Sequence, residues 1–263
     1  RATSFLGDFL TPETSLDYQQ LCLGLSLQTC AIAILGMLFG IMGAFVIALG
    51  ASEAVIQSRT SSPRSFKTVR RFFIREASRL LLDIARGVPD FVWAMIVFLA
   101  IGAGPVTGVI AIAMSVSGIL GKIYSELWDS VSEAQCEPLR SQGASRLKVL
   151  VYVLLPTSSR TMLSYTLMRA ECAMRNSSVI GVVGGGGLGA QIFEEFGYGA
   201  FAKVSTLLVY ILVLTLGADL SANWLRARLK GGAGESSAHS WWQASHSRLL
   251  GLSVALLAVV LSV

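Results

Sequence analysis

Long apolar runs separated by short polar connections dominate this chain of 263 residues. A helix needs about 20 predominantly apolar residues to cross a bilayer, and residues 21–49 supply them with only small polar interruptions. Further runs at 80–101, 106–124, 159–183 and 201–225 predict four more spans, and 249–263 reads as a partial sixth. The second run contains Asp83, Arg86, Pro89 and Asp90. That pattern predicts an interfacial or bundle-facing first part, a kink at the proline, and a deeper section over 91–101. The fourth run carries Arg169, Glu171 and Arg175. The expected organisation is an external segment over 1–20, a membrane core over 21–230 with a polar loop at 125–160, a Gly/Ser-containing linker at 231–248, and the start of another helix at 249–263.

Composition agrees with this pattern. Hydrophobic residues make up 53% of the chain, charged residues only 14%, and the mean hydropathy is +0.64, which leaves too little polar surface for a water-soluble protein of this length. The expected fold class is therefore all-α integral membrane, in contact with lipid. The net charge of +5 does not indicate nucleic acid, because the basic residues flank apolar runs rather than exposed aromatics. They set orientation instead. Arg59, Arg64, Lys67, Arg70, Arg71, Arg75 and Arg79 follow the first run; Lys122, Arg140, Arg146, Lys148 and Arg160 surround the polar loop; and Arg226, Arg228, Lys230 and Arg248 follow the fifth run. The opposite connections hold almost no positive charge, so all three basic regions are expected in the cytoplasm. This topology leaves the chain one span short of an even count. A preceding helix, with 249–263 as the first helix of a second, tandem unit, is the expectation that follows. Phe66, Phe72, Phe73 and Ile74 among the basic residues predict an interfacial helix, and Trp241-Trp242 an interfacial anchor. Cys22, Cys30, Cys136 and Cys172 lack metal-ligand spacing, and the two histidines lie near the C-terminus, so free packed thiols and no metal site are expected.

The polar loop holds the most informative spacing. Glu137-Pro138-Leu139 is followed by Gly143-Ala144-Ser145 and then by Leu155-Pro156, with the glycine six residues after the acid and the proline thirteen after the glycine. A short helix held by a turn can transmit a rigid-body movement; Gly143 permits the turn, Leu155-Pro156 would end the returning segment, and Glu137 or Arg140 could pair with charges on a partner. An ordinary solvated loop is the competing reading. Within the fourth run, a charge costs several kcal/mol unless it is paired or faces water. Glu171 and Arg175 are spaced i,i+4 for pairing, whereas Arg169 or Arg175 could instead line a path for an anion. Asp83, Arg86 and Asp90 raise the same question of path or pairing; Asp83 and Arg86 have i,i+3 spacing and are expected to satisfy each other. The glycines at 184–187, with Leu188-Gly189, lack the Lys-Ser/Thr of a nucleotide loop. They predict a helix break serving as an external gate, or a flexible loop without such a role, followed by a short surface helix over 188–196.

These stretches together resemble the phosphonate-type permeases of the binding-protein-dependent importer family. The resemblance rests on the coupling-loop spacing, on RGVPDFVW at 86–93, the GxGP stretch at 102–105, GILGK at 118–122, LRSQGASRL at 139–147 and SYTLMRAECAMRNSSVIGVVGGGGLG at 164–189. Pro138 departs from the alanine of many members; proline is tolerated in a first helical turn, which would move the helix start. The resemblance implies the transmembrane domain of a type I ABC importer, with no catalysis of its own. It implies an ATPase-coupling loop at Glu137, Leu139, Arg140, Gly143, Ala144, Ser145, Leu155 and Pro156. Path or gate residues are expected at Arg169, Glu171, Arg175, Asn176, Ser177, Gly184, Gly185, Gly186, Gly187 and Gly189. The implied partners are an ABC ATPase dimer that uses ATP and Mg, an external or periplasmic solute-binding protein, and a second permease unit, either a homodimer mate or a fused one. The implied place is the bacterial inner membrane, and the implied cargo is phosphonate, phosphite or a related phosphorus oxyanion. A permease for an amino acid or phosphate, or an ion-driven secondary transporter, are the alternatives.

Overall fold

The computed structural model describes residues 13, 15–56 and 66–230, and among these every regular element is helical. The expected linker, the Trp241-Trp242 anchor and the partial sixth run at 249–263 all lie outside the described residues, as does most of 1–20. In chain order the elements are α1 (Leu16–Ala51), α2 (Glu53–Ile56), α3 (Phe66–Gly87), α4 (Asp90–Ile101), α5 (Pro105–Asp129), α6 (Glu133–Ser141) and α7 (Arg146–Val149). A π-helical segment, Leu150–Leu154, leads into α8 (Leu155–Ile180); a second, Gly181–Gly185, precedes α9 (Gly187–Gly197) and α10 (Phe201–Lys230).

Three of these, α1, α5 and most of α10, are long and apolar enough to cross a membrane, and α3 with α4 forms a fourth, bent candidate. At 26 residues, α8 spans about 39 Å at 1.5 Å per residue, more than a hydrocarbon core of about 30 Å, but it carries charges that must be paired. The expected kink at Pro89 is a 98° turn. Residues 80–87 consequently belong to the preceding amphipathic helix, and only 90–101 form the deeper part of the second run. Pro89 sets this corner by opening α4 in an extended conformation, φ −59° and ψ 147°.

One side of α3 exposes Val69, Phe72, Phe73, Leu80, Leu81 and Ile84, while Leu82 is fully buried. On the side facing the bundle, Arg75 bonds Glu53 at 2.9 Å and Arg79 bonds both Asp129 and the Ala51 carbonyl at 3.2 Å. These bonds fix α3 to the C-terminal end of α1 and the C-terminal end of α5. The core runs along the α1–α5 seam through Ala44, Ala48, Ile112, Val116, Leu120 and Trp128. Without a hydrophobic drive inside lipid, small residues let backbones approach: a Cβ at Gly118 would lie 2.7 Å from the backbone of Ala85 and Arg86, so α3 rests directly on α5.

Candidate functional site

The polar loop between α5 and α8 is built as a rigid turn. Gly143 has φ 76°, its N–H donates to the Arg140 carbonyl at 3.1 Å, and the Ala144 N–H donates to the Leu139 carbonyl at 3.1 Å. This pair of bonds is a Schellman closure of α6, with glycine in the left-handed position that the motif requires. Leu139 and Ala144 pack together with buried Cys136, Val149, Leu150 and Leu154 on the core. Ser145 then starts α7 in an extended conformation, accepting the Val149 N–H at 3.1 Å. Of the expected coupling residues, Glu137, Gly143, Ser145 and Pro156 are exposed.

Arg140 donates to the Ala54 carbonyl at 2.8 Å and lies 3.8 Å from Glu133, so it docks the loop on α2. Two expectations about this loop are corrected. Pro138 does not shift the start of α6; the helix begins at Glu133 and holds the proline inside, where its missing N–H removes one intrahelical bond. Nor do Leu155-Pro156 end the returning segment. Pro156 lies in the first turn of α8, directly after the π segment, whose wider hydrogen-bond ring takes up the residue that a proline would otherwise force out of register. The chain thus runs helically from Arg146 to the Gly181–Gly185 break.

Asp129, which the sequence pattern did not single out, joins this loop region to the bundle. Its carboxylate accepts from Ser52 Oγ at 2.7 Å, the Ala54 N–H at 2.9 Å and Arg79 at 3.2 Å. Burial, reinforced by the nearby Arg71 guanidinium of α3, lowers the pKa of Arg146 in α7.

Deeper in the bundle a polar cluster gathers residues from three helices. Asp90, at the start of α4, accepts from both Ser115 of α5 and Asn176 of α8. Arg169 of α8 reaches both Asp90 oxygens at 3.1 Å and Ser115 Oγ at 2.9 Å. The Asp90 and Arg169 side chains are 20% and 16% exposed, so the pair is largely shielded and its charges cancel. Ser177 is not part of this cluster; its hydroxyl bonds the Met174 carbonyl at 2.7 Å on its own helix. The expected Glu171–Arg175 pair is also absent. Glu171 pairs with Arg226 of α10 at 2.5 Å, and Arg175, 63% exposed, lies 3.6 Å from Asp219 of the same helix. The two acids thereby tie α8 to α10. The Asp83–Arg86 pair forms at 3.2 Å as expected, and Lys122 joins it at 3.5 Å from Asp83.

At the other end of α8 the glycine run breaks the helix. Gly184, Gly186 and Gly187 have φ of 107°, 78° and 72°, in a region that side chains strongly disfavour. The Gly184 carbonyl accepts the Gly104 N–H at 2.8 Å, Leu188 N–H donates to Thr29 at 3.0 Å, and Gly185 is buried. A Cβ at Gly189 would lie 1.9 Å from the Ser178 carbonyl, so these turns close on each other. The following helix is only half a surface helix: Phe193 and Phe196 are exposed, but Leu188 and Glu195 are buried.

With this geometry in place, similarity to known proteins becomes interpretable. Over 82% of this chain and 99% of the other, the fold superposes with a TM-score of 0.64 on a solved structure described as an inward-facing conformation of the MetNI methionine ABC transporter, at 16% identity. HtxC of Stutzerimonas stutzeri, named for a phosphite transport system, is 31% identical over 86% of this chain and 75% of its own length. PhnE of Mycolicibacterium smegmatis, named as a phosphate-import permease, is 26% identical over 77% of this chain but only 36% of its own length. Residues 65–231 match the family described as the binding-protein-dependent transport system inner membrane component, and the chain belongs to that family.

Proposed function

We propose that this chain is a permease subunit of an ATP-driven importer for phosphite, phosphonate or a related phosphorus oxyanion, forming half of a pore with a second permease unit. The similarity to a phosphite-system permease over 86% of the chain carries this reading. An ABC ATPase dimer, consuming ATP and Mg, docks from the cytoplasm on α6 and α7, where the Schellman turn holds the loop rigid enough to transmit movement. A solute-binding protein delivers the anion on the opposite side, at the glycine break. The chain itself carries out no hydrolysis, and its place is the bacterial inner membrane.

Phosphate is the second reading, favoured by the similarity to the phosphate-import permease. Proteoliposomes containing the permease, its ATPase and its binding protein separate the two. The phosphorus-oxyanion reading expects ATP-dependent uptake of phosphite or methylphosphonate. Preferential uptake of phosphate supports the second reading, and uptake of glutamine with none of these anions overturns both.

A further inference from the structure

We propose that Asp90 is a built-in surrogate for the transported anion: its carboxylate occupies the donor set that receives the oxyanion during transport, and the oxyanion enters by displacing it. This rests on the substrate class proposed above. The donor set comprises a guanidinium from Arg169, a hydroxyl from Ser115, an amide from Asn176 and the first turn of α4. Each is a group that binds phosphorus oxyanions as readily as carboxylates. Guanidinium forms charge-assisted bonds to either, and the N-terminus of a helix favours either anion.

An orphaned atom distinguishes the two occupants. All the Arg169 bonds to Asp90 and Ser115 come from one terminal nitrogen, Nη2, while its Nε is buried with no hydrogen-bond partner. A buried donor left unmade is costly. A carboxylate has two oxygens, both already engaged; phosphite or a phosphonate has three, and the third can accept from Nε. The cluster therefore holds one more donor than its present occupant can use.

The helices do not depend on this carboxylate alone. Tyr124 and Thr166 join α5 to α8 at 2.6 Å, and Gly118 rests on Ala85, so Asp90 can leave without releasing the bundle. A separate cleft of about 490 Å³ on α3 and α5 is lined by Asp83, Arg86, Gly87, Ile119, Lys122 and Glu126. Lys122 in that cleft is held by Asp83 at 3.5 Å and Glu126 at 3.7 Å, repeating the arrangement of a cation attended by acids on the cytoplasmic side of the cluster.

The test uses the permease assembled with its ATPase in nanodiscs, with phosphite as the probe. If Asp90 fills the donor set about nine-tenths of the time, Asp90→Asn should tighten phosphite binding about tenfold. Slower release and reduced uptake should accompany the tighter binding. Arg169→Gln and the charge-balanced Asp90→Asn/Arg169→Gln variant should lose binding. Asn176→Ala keeps the ion pair and should weaken phosphite binding while the complex assembles normally, which covers the case in which Asp90→Asn fails to assemble. Normal phosphite import by the wild type, with affinity unchanged in Asp90→Asn or in Asn176→Ala, removes the surrogate role alone. A wild-type complex that imports no phosphorus oxyanion removes the substrate class and the surrogate role together.

Discussion

Single residues carry the geometry of the polar loop and its junction with the bundle, and two of them can be tested separately. Gly143 sits at φ 76°, where an ordinary L-residue costs about 1–2 kcal/mol and a β-branched one strains further. Gly143→Val is therefore expected to leave the protein in the membrane but lower ATPase copurification and ATP-dependent uptake together. Gly143→Asn, which tolerates the left-handed region, should retain more of both. Equal retention of uptake by the two variants would show that the turn does not transmit movement. Asp129 acts differently, because it ties α1, α2 and α3 to the end of α5. Removing it leaves two or more donors without an acceptor, at about 1–3 kcal/mol for a buried group. The Asp129→Ala protein should melt at a lower temperature in detergent than Asp129→Asn, which keeps one acceptor oxygen. Gly143 was legible in the sequence because the spacing to Glu137 and Pro156 marks it. Asp129 was not, since an acid at the end of an apolar run has the same pattern whether it meets water or a neighbouring helix.

At the scale of elements, sequence legibility depends on whether a contact lies within one helix. The Asp83–Arg86 pair was readable because i,i+3 spacing puts both groups on one face of α3. The same logic misassigned Glu171, whose partner Arg226 is 55 residues away. Spacing allowed an Arg175 pair, but packing of α8 against α10 offered each group a different partner. The partners of Asp90 were not readable for a related reason: its four-residue cluster is assembled from three helices, and no single stretch contains it. The corrected pairing changes what mutation should do. Breaking a buried ion pair by removing one partner costs about 3–5 kcal/mol, and the Glu171–Arg226 pair, 18% and 24% exposed, belongs toward the low end. Arg226→Gln should lower the amount of folded protein in membranes, and adding Glu171→Gln should restore it. Arg175→Gln, at an exposed position, should leave abundance near normal. Unchanged abundance in Arg226→Gln would mean that the Glu171–Arg226 pair is not needed to hold α10 to α8.

For the whole molecule, the basic connections predict a sidedness that thiol labelling can test, and the fold gathers several of their side chains at one end of the bundle. α3, the loop of α6 and α7, and the end of α1 form one polar layer joined by Arg75–Glu53, Arg79–Asp129 and Arg140–Ala54. The glycine break and α9 lie at the other end of α8. One continuous helical path, from Arg146 through the π segment and α8, therefore connects the loop where an ATPase would push to the break where a gate would bend, passing Arg169 and Asn176 on the way. Native Cys136 is too buried, at 2% exposure, to report which side is which, so introduced thiols are needed at exposed positions. In intact cells, a cysteine at Tyr198, 78% exposed at the C-terminal end of α9, should react with an impermeant thiol reagent. A cysteine at exposed Gln135 in α6 should react only after the membrane is permeabilised. The opposite labelling would place α6 and α7 outside the cell, out of reach of any cytoplasmic ATPase, and would overturn both the orientation and the coupling role built on it.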